Sequence, residues 1–134
     1  MAVRKLGALG KVENLISNAS FSNNSTDCYI MTEDNILMFC ANLIITGNYN
    51  AGTVIFKLPT AVTPRVTNVV PVAIRNDTNN TYTLERLNFN NNGNVAIPKT
   101  YSGGCTVFLS SICVSVNSRY FNSPYITGQG SSPL

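Results

Sequence analysis

Histidine, the side chain that most often moves protons and binds metals near neutral pH, occurs nowhere in these 134 residues. Its absence removes Ser-His-Asp and Cys-His nucleophile systems. What is left for chemistry is four cysteines, six acids and nine bases. Cys28, Cys40, Cys105 and Cys113 contain no CxxC pair, so neither a zinc ribbon nor a dithiol redox motif is expected. They read as buried thiols acting as small hydrophobes, with a disulfide such as Cys28–Cys40 or Cys105–Cys113 as the alternative. A glycosidase would need two carboxylates converging across a cleft. Asp27, Glu33, Asp34, Asp77 and Glu85 instead fall in predicted turns or on polar strand faces, where a solvated role is expected. The expectation is a protein that binds rather than catalyses, with no cofactor and no metal.

Binding of a polar ligand calls for planar polar side chains and an aromatic face. Two loops offer them. Asn48, Tyr49 and Asn50 place a tyrosine at a glycine-flanked tip, and the run RNDTNNTY supplies Arg75, Asn76, Asp77, Asn79, Asn80 and Tyr82. The candidate ligand-binding set is Asn48, Tyr49, Asn50, Arg75, Asp77, Asn79 and Tyr82. The same residue types also serve plain turn chemistry, since Asn and Asp bond to nearby backbone and tolerate positive φ. Tyr120, Phe121 and Tyr125 lie after the last predicted strand and read as anchors of a terminal arm or as an exposed aromatic patch.

These loops need a scaffold, and the alternation of apolar residues supplies a β one. Strands are predicted over 28–32, 36–46, 53–58, 67–75, 81–90, 94–98 and 105–116, with turns at 33–35, 47–52, 76–80 and 90–93. Asn92-Gly93 suits a primed hairpin turn. The run 36–46 is apolar at both parities, which predicts cover on both faces, by the second sheet inside and by a neighbouring subunit as the candidate cover outside. In 105–116, Val107, Leu109, Ser111 and Cys113 share one face, with Phe108, Ile112, Val114 and Val116 on the other. Pro71 argues for an edge or a bulge, and 59–64 for an extended wrap along an edge. Residues 18–27 read as a loop. Ahead of it, Val3, Leu6, Leu9, Val12 and Ile16 recur at helical spacing, predicting a short N-terminal helix, either a stem or a docked arm. Seven or eight short strands with turns between them indicate an all-β, jelly-roll-like antiparallel sandwich. The expected organisation is an arm or stem over 1–18, a sandwich over 19–122 and a tail over 123–134.

Composition narrows the setting. Only 11% of residues are charged, under half of the usual fraction of about 25%, and Asn, Ser and Thr take their place. The basic residues never gather into a phosphate-tracking stripe, so no nucleic-acid partner is expected. No apolar run approaches the roughly 18 residues of a membrane span, and no secretory leader is legible.

One stretch carries more than a generic β pattern. Over residues 43–97 the chain orders Gly47, Ala51-Gly52-Thr53, Ile55, Leu58-Pro59 and Pro64, then Leu87, Phe89, Gly93, Val95 and Ile97. This order resembles the receptor-binding C-terminal domains of bacteriophage tail fibres and baseplate proteins, with the likeness extending over residues 26–116. The resemblance implies a homotrimer of jelly-roll heads at a virion tail tip, assembled in the host cytoplasm beside other tail or baseplate proteins. It implies attachment to host cell-surface polysaccharide. The chain has no Trp, the favoured platform for a sugar ring, which leaves Tyr and Phe for that role. Two other expectations stand beside this one: a structural virion piece without a ligand, and a cellular carbohydrate-binding module.

Overall fold

The structure, a computed structural model, describes residues 9–32 and 34–116. It is an all-β sandwich of two antiparallel sheets, with strands β1 (Gly10–Lys11), β2 (Ala19–Phe21), β3 (Asp27–Met31), β4 (Ile36–Phe39), β5 (Leu43–Ile45), β6 (Val54–Lys57), β7 (Asn68–Asn76), β8 (Thr81–Phe89), β9 (Asn94–Ala96), β10 (Cys105–Val107) and β11 (Cys113–Ser115). The smaller sheet runs β1-β3-β4-β11 and the larger runs β2-β5-β10-β7-β8-β9-β6.

The larger sheet curls into a half-barrel. Its two outermost strands, β2 and β6, come close enough for the Phe21 and Phe56 rings to lie 6.1 Å apart. The chain ahead of β2 seals the gap. Glu13 and Lys57 exchange backbone hydrogen bonds of 2.7 and 2.8 Å, and the Ile16 N–H donates to the Ile55 carbonyl at 3.1 Å. An open strand edge is thereby paired off, removing a template for aggregation. Inside, Phe21, Phe39, Phe56 and Phe89 form one edge-on and tilted ring cluster joining both sheets.

Four long-range features differ from the sequence expectations. The predicted helix is absent over residues 9–16: Gly10–Lys11 pairs with β3, Glu13 pairs with Lys57, and Val12 enters the core. Helical spacing of a few apolar residues gave way to the demand of two sheet edges for partners; residues 3–8 lie outside the described residues. Residues 18–27 hold a strand, β2, paired with β5.

The predicted strand over 36–46 is split between the sheets, as β4 and β5. It has one inner face throughout: Leu37, Phe39, Ala41, Leu43 and Ile45 are all buried, whereas Met38 and Cys40 are exposed. Within one chain the run is therefore a single extended segment that bends around the core with one covered face. Residues 105–116 are split in the same way, with a 3-10 turn at Leu109–Ser111 between β10 and β11. That turn shifts the phase. Cys105, Val107 and Leu109 point inward before it, and Ile112, Val114 and Val116 after it, so Cys113 ends on the outside. Both passages between sheets run side by side, joined through Asn42, whose Oδ1 accepts from the Ser110 N–H (3.0 Å) and Oγ (2.7 Å). Ser22 closes the corner, its N–H donating to the Asn42 carbonyl.

Smaller departures follow local chemistry. Residues 60–62 form a 3-10 turn that buries Val62, rather than an extended wrap. In the 90–93 turn only Gly93 has positive φ (92°), so it is a type I turn with a glycine bulge and not a primed one. Pro71 sits in β7 opposite Arg86, at a level where β10, which pairs only with residues 74–76, has already ended. All four cysteines are free; Cys28 and Cys105 are buried, but Cys40 and Cys113 are exposed.

Candidate functional site

The two candidate loops lie at one end of the sandwich, and a third loop, 99–104, joins them. The Asn48 Oδ1 accepts from the Gly103 N–H at 2.7 Å, and the Thr78 Oγ1 donates to the Ser102 carbonyl at 2.7 Å. Gly103 itself has φ of 87°, and a Cβ there would stand 2.4 Å from the Thr78 Oγ1. The sequence-predicted residues are thus gathered together. Most of their polar atoms, however, are already engaged.

Tyr49 is half-buried against the core. Its backbone pairs with Tyr101 and its hydroxyl donates to the Ser17 carbonyl. Asn50 supplies its carbonyl to the Thr53 N–H and Oγ1, closing the turn. Asn79 accepts from both the N–H and the Oγ1 of Thr81, and Asn76 accepts from the Thr78 N–H. These are Asx turns, the bland role of such residues.

Arg75, Asp77 and Tyr82 are arranged differently. Arg75 and Tyr82 stand directly opposite each other on β7 and β8, on the outward face. The Arg75 Nε donates to the Asp77 Oδ1 at 2.7 Å, and its Nη2 donates to the Thr106 Oγ1 at 3.1 Å. The Thr106 hydroxyl in turn reaches the Asp77 Oδ2 at 3.0 Å. Asp77, and then Tyr82, hold the Arg75 guanidinium above its ordinary pKa. Its Cζ lies 5.8 Å from the Phe108 ring centre, and Tyr82 stacks on the same ring at 5.8 Å with 28° between planes. Thr106 and Phe108 belong to this cluster and were not singled out from sequence. Phe108 gave a signal in being the apolar residue out of phase with Val107 and Leu109.

The outward face continues along the β7–β8 ribbon. Register places Ala73 opposite Leu84, Pro71 opposite Arg86 and Val69 opposite Asn88. Leu84 is 74% exposed, Tyr82 62% and Val69 53%, an apolar stripe on a face whose inner side carries Val72, Ile74, Leu87 and Phe89. At the far end of the stripe the surface dips into an open groove of about 510 Å³ lined by Val69, Arg86, Asn88, Asn90, Ala96 and Pro98 among others. From Tyr82 to Asn88 the face spans roughly 20 Å by strand rise, the length of several sugar units.

Of the remaining reactive groups, the Cys28 and Cys105 thiols are turned inward, whereas Cys40 and Cys113 lie at the surface. Burial pushes the Cys28 and Cys105 thiols up to about 12, so neither is a nucleophile near neutral pH. Among the described residues, no group of three or more His, Cys, Asp or Glu is placed to hold a metal ion, and no helix is long and apolar enough to cross a membrane. Tyr120, Phe121 and Tyr125 lie outside the described residues. Comparison with protein-family models, with curated proteins and with solved structures finds no match for this chain.

Proposed function

We propose that this chain is a binding module that attaches to cell-surface saccharide through the outward face of β7 and β8, serving as the receptor-binding head of a phage tail fibre or baseplate and acting as a homotrimer. The observation that carries this reading is the stacked aromatic pair of exposed Tyr82 and half-buried Phe108 beside Arg75, Asp77 and Thr106. An aromatic face next to fixed planar polar groups is the chemistry that a sugar ring demands, with its apolar C–H side and its ring of hydroxyls. A binding role also agrees with a chain that lacks histidine. Affinity at one such face is expected to be weak, and three copies presented together would multiply it.

The test is a glycan array together with binding to purified bacterial cell walls, run on the wild type and on Tyr82→Ala. Tyr82 is exposed, so the variant should fold normally and lose binding. Equal binding by both proteins would move the site elsewhere. A mass measurement in solution tests the trimer. One set of contacts favours the second reading, a structural virion piece without ligand: Asn48, Tyr49 and Asn79 are all committed to internal hydrogen bonds. No binding to any glycan or cell wall would leave that reading in its place.

A further inference from the structure

Hydrogen-bonding capacity that a turn has already consumed is not free for a ligand, and this separates two classes of asparagine in the molecule. Asn23, Asn48, Asn76, Asn79 and Asn92 each give their side-chain oxygen to a nearby backbone N–H. Asn88 and Asn90, in the groove at the far end of the β7–β8 face, make no side-chain hydrogen bond among the described residues. Arg86, between them and Leu84, takes part in neither the Arg75–Asp77 nor the Lys99–Glu85 salt bridge. Glu85, its sequence neighbour, lies on the opposite face of β8 and points toward Lys99. No acidic residue lines the groove.

We infer that this groove is the subsite for the charged unit of an anionic saccharide, one bearing carboxylate or phosphate. The inference rests on the saccharide reading above and names the ligand class within it. The Arg86 guanidinium presents a planar fork of donors that matches carboxylate or phosphate oxygens. Asn88 and Asn90 supply paired donors and acceptors for adjacent hydroxyls. Val69, Ala96 and Pro98 give the apolar floor against which the C–H face of the ring packs. Neighbouring sugars of the same chain would run along Leu84 toward Tyr82. The groove thus selects by charge, whereas the aromatic pair grips any ring.

Calorimetric titration separates these roles, using an oligogalacturonate hexamer, a glycerol-phosphate hexamer and maltohexaose at low and at physiological salt. The wild type is expected to prefer at least one anionic probe over the neutral one, more so at low salt. Arg86→Gln should weaken that anionic probe on the order of tenfold, as loss of a charge-assisted pair does, and leave maltohexaose unchanged. Lys11→Gln removes the same charge from the other sheet and should change nothing. The inference is overturned if wild type binds neutral and anionic probes alike, or if Lys11→Gln weakens binding as much as Arg86→Gln. It is also overturned if Tyr82→Ala abolishes binding of all probes while Arg86→Gln alters none, and in that case the saccharide reading survives. If no saccharide binds the wild type, both fall.

Discussion

Phe56 lies where the curled sheet closes on itself, and its replacement by alanine has a calculable effect. The ring is fully buried and lies within 6.5 Å, centre to centre, of Phe21, Phe39 and Phe89. Removing a buried Phe side chain forfeits about 2–3 kcal/mol of transfer free energy. A residual cavity of roughly 100 Å³, at about 24 cal/mol per Å³, adds roughly 2.4 kcal/mol. Partial collapse of the neighbours brings the expected loss to about 4 kcal/mol, a large share of the usual 5–15 kcal/mol of a domain. In urea, with a slope of about 2 kcal/mol per M, the midpoint should fall by roughly 2 M. Val54→Ala on the same strand, at a side chain 39% exposed, should move it by less than about 0.3 M. The sharper assay is a double-mutant cycle with Phe21→Ala. These two residues belong to opposite ends of the strand order, so a coupling of about 0.5–1.5 kcal/mol arises only if the sheet curls its edges together. Additive losses, or a Phe56→Ala loss below about 1.5 kcal/mol, would refute the closed arrangement.

Three further outcomes are expected. Alkylation of the native protein at pH 8 should modify Cys40 and Cys113 quickly and spare Cys28 and Cys105 until denaturant is added; mass spectrometry reads the pattern, and four equally fast thiols would contradict the packing. The folded pKa values of those buried thiols are raised from 9.0 to about 12, and that of Tyr101 is raised by burial, so above pH 9 the unfolded chain releases protons more readily than the folded one. Stability present below pH 9 should therefore decline between pH 9 and 12; an unchanged urea midpoint at pH 8 and pH 10.5 counts against it. Asn42→Ala strips two donors on Ser110 of their acceptor and should destabilise by about 1–2 kcal/mol, with Asn42→Asp recovering most of that in thermal melts.

What the sequence disclosed was whatever is local. Strands β6 to β9 lie where period-two alternation and turn residues put them, and the Asn76–Asn80 turn closes as its residue types predict. What it concealed was the choice of sheet. From Leu37 to Ile45 every second residue is buried without a break, so no local mark shows where the chain leaves one sheet for the other. The corner is defined by Asn42 with Ser22 and Ser110, partners 20 and 68 residues away. The phase shift at Leu109–Ser111 did leave a trace, apolar residues at both parities, but that pattern equally fits a strand covered on two sides. The arm from Gly10 to Ile16 took its conformation from strand edges it could not foresee. The proposed binding face was half legible: Arg75, Asp77 and Tyr82 stand out in or beside a polar loop, whereas Arg86 and Asn88 lie within a strand, where alternation makes an outward polar residue look ordinary.

The position of β10 has a consequence for how the molecule is made. It lies between β5 and β7, so the larger sheet stays in two pieces until residues near the end of the described chain are available. A nascent chain emerging from the ribosome would carry the long β7–β8 hairpin and, apart from it, the β2–β5 pair, with no strand to unite them. Formation of the larger sheet is then expected to wait for β10 and to be concerted, with the slow, non-local loop closures typical of such topologies. The exposed strand pairs of the waiting chain are the species most open to misassembly with their neighbours.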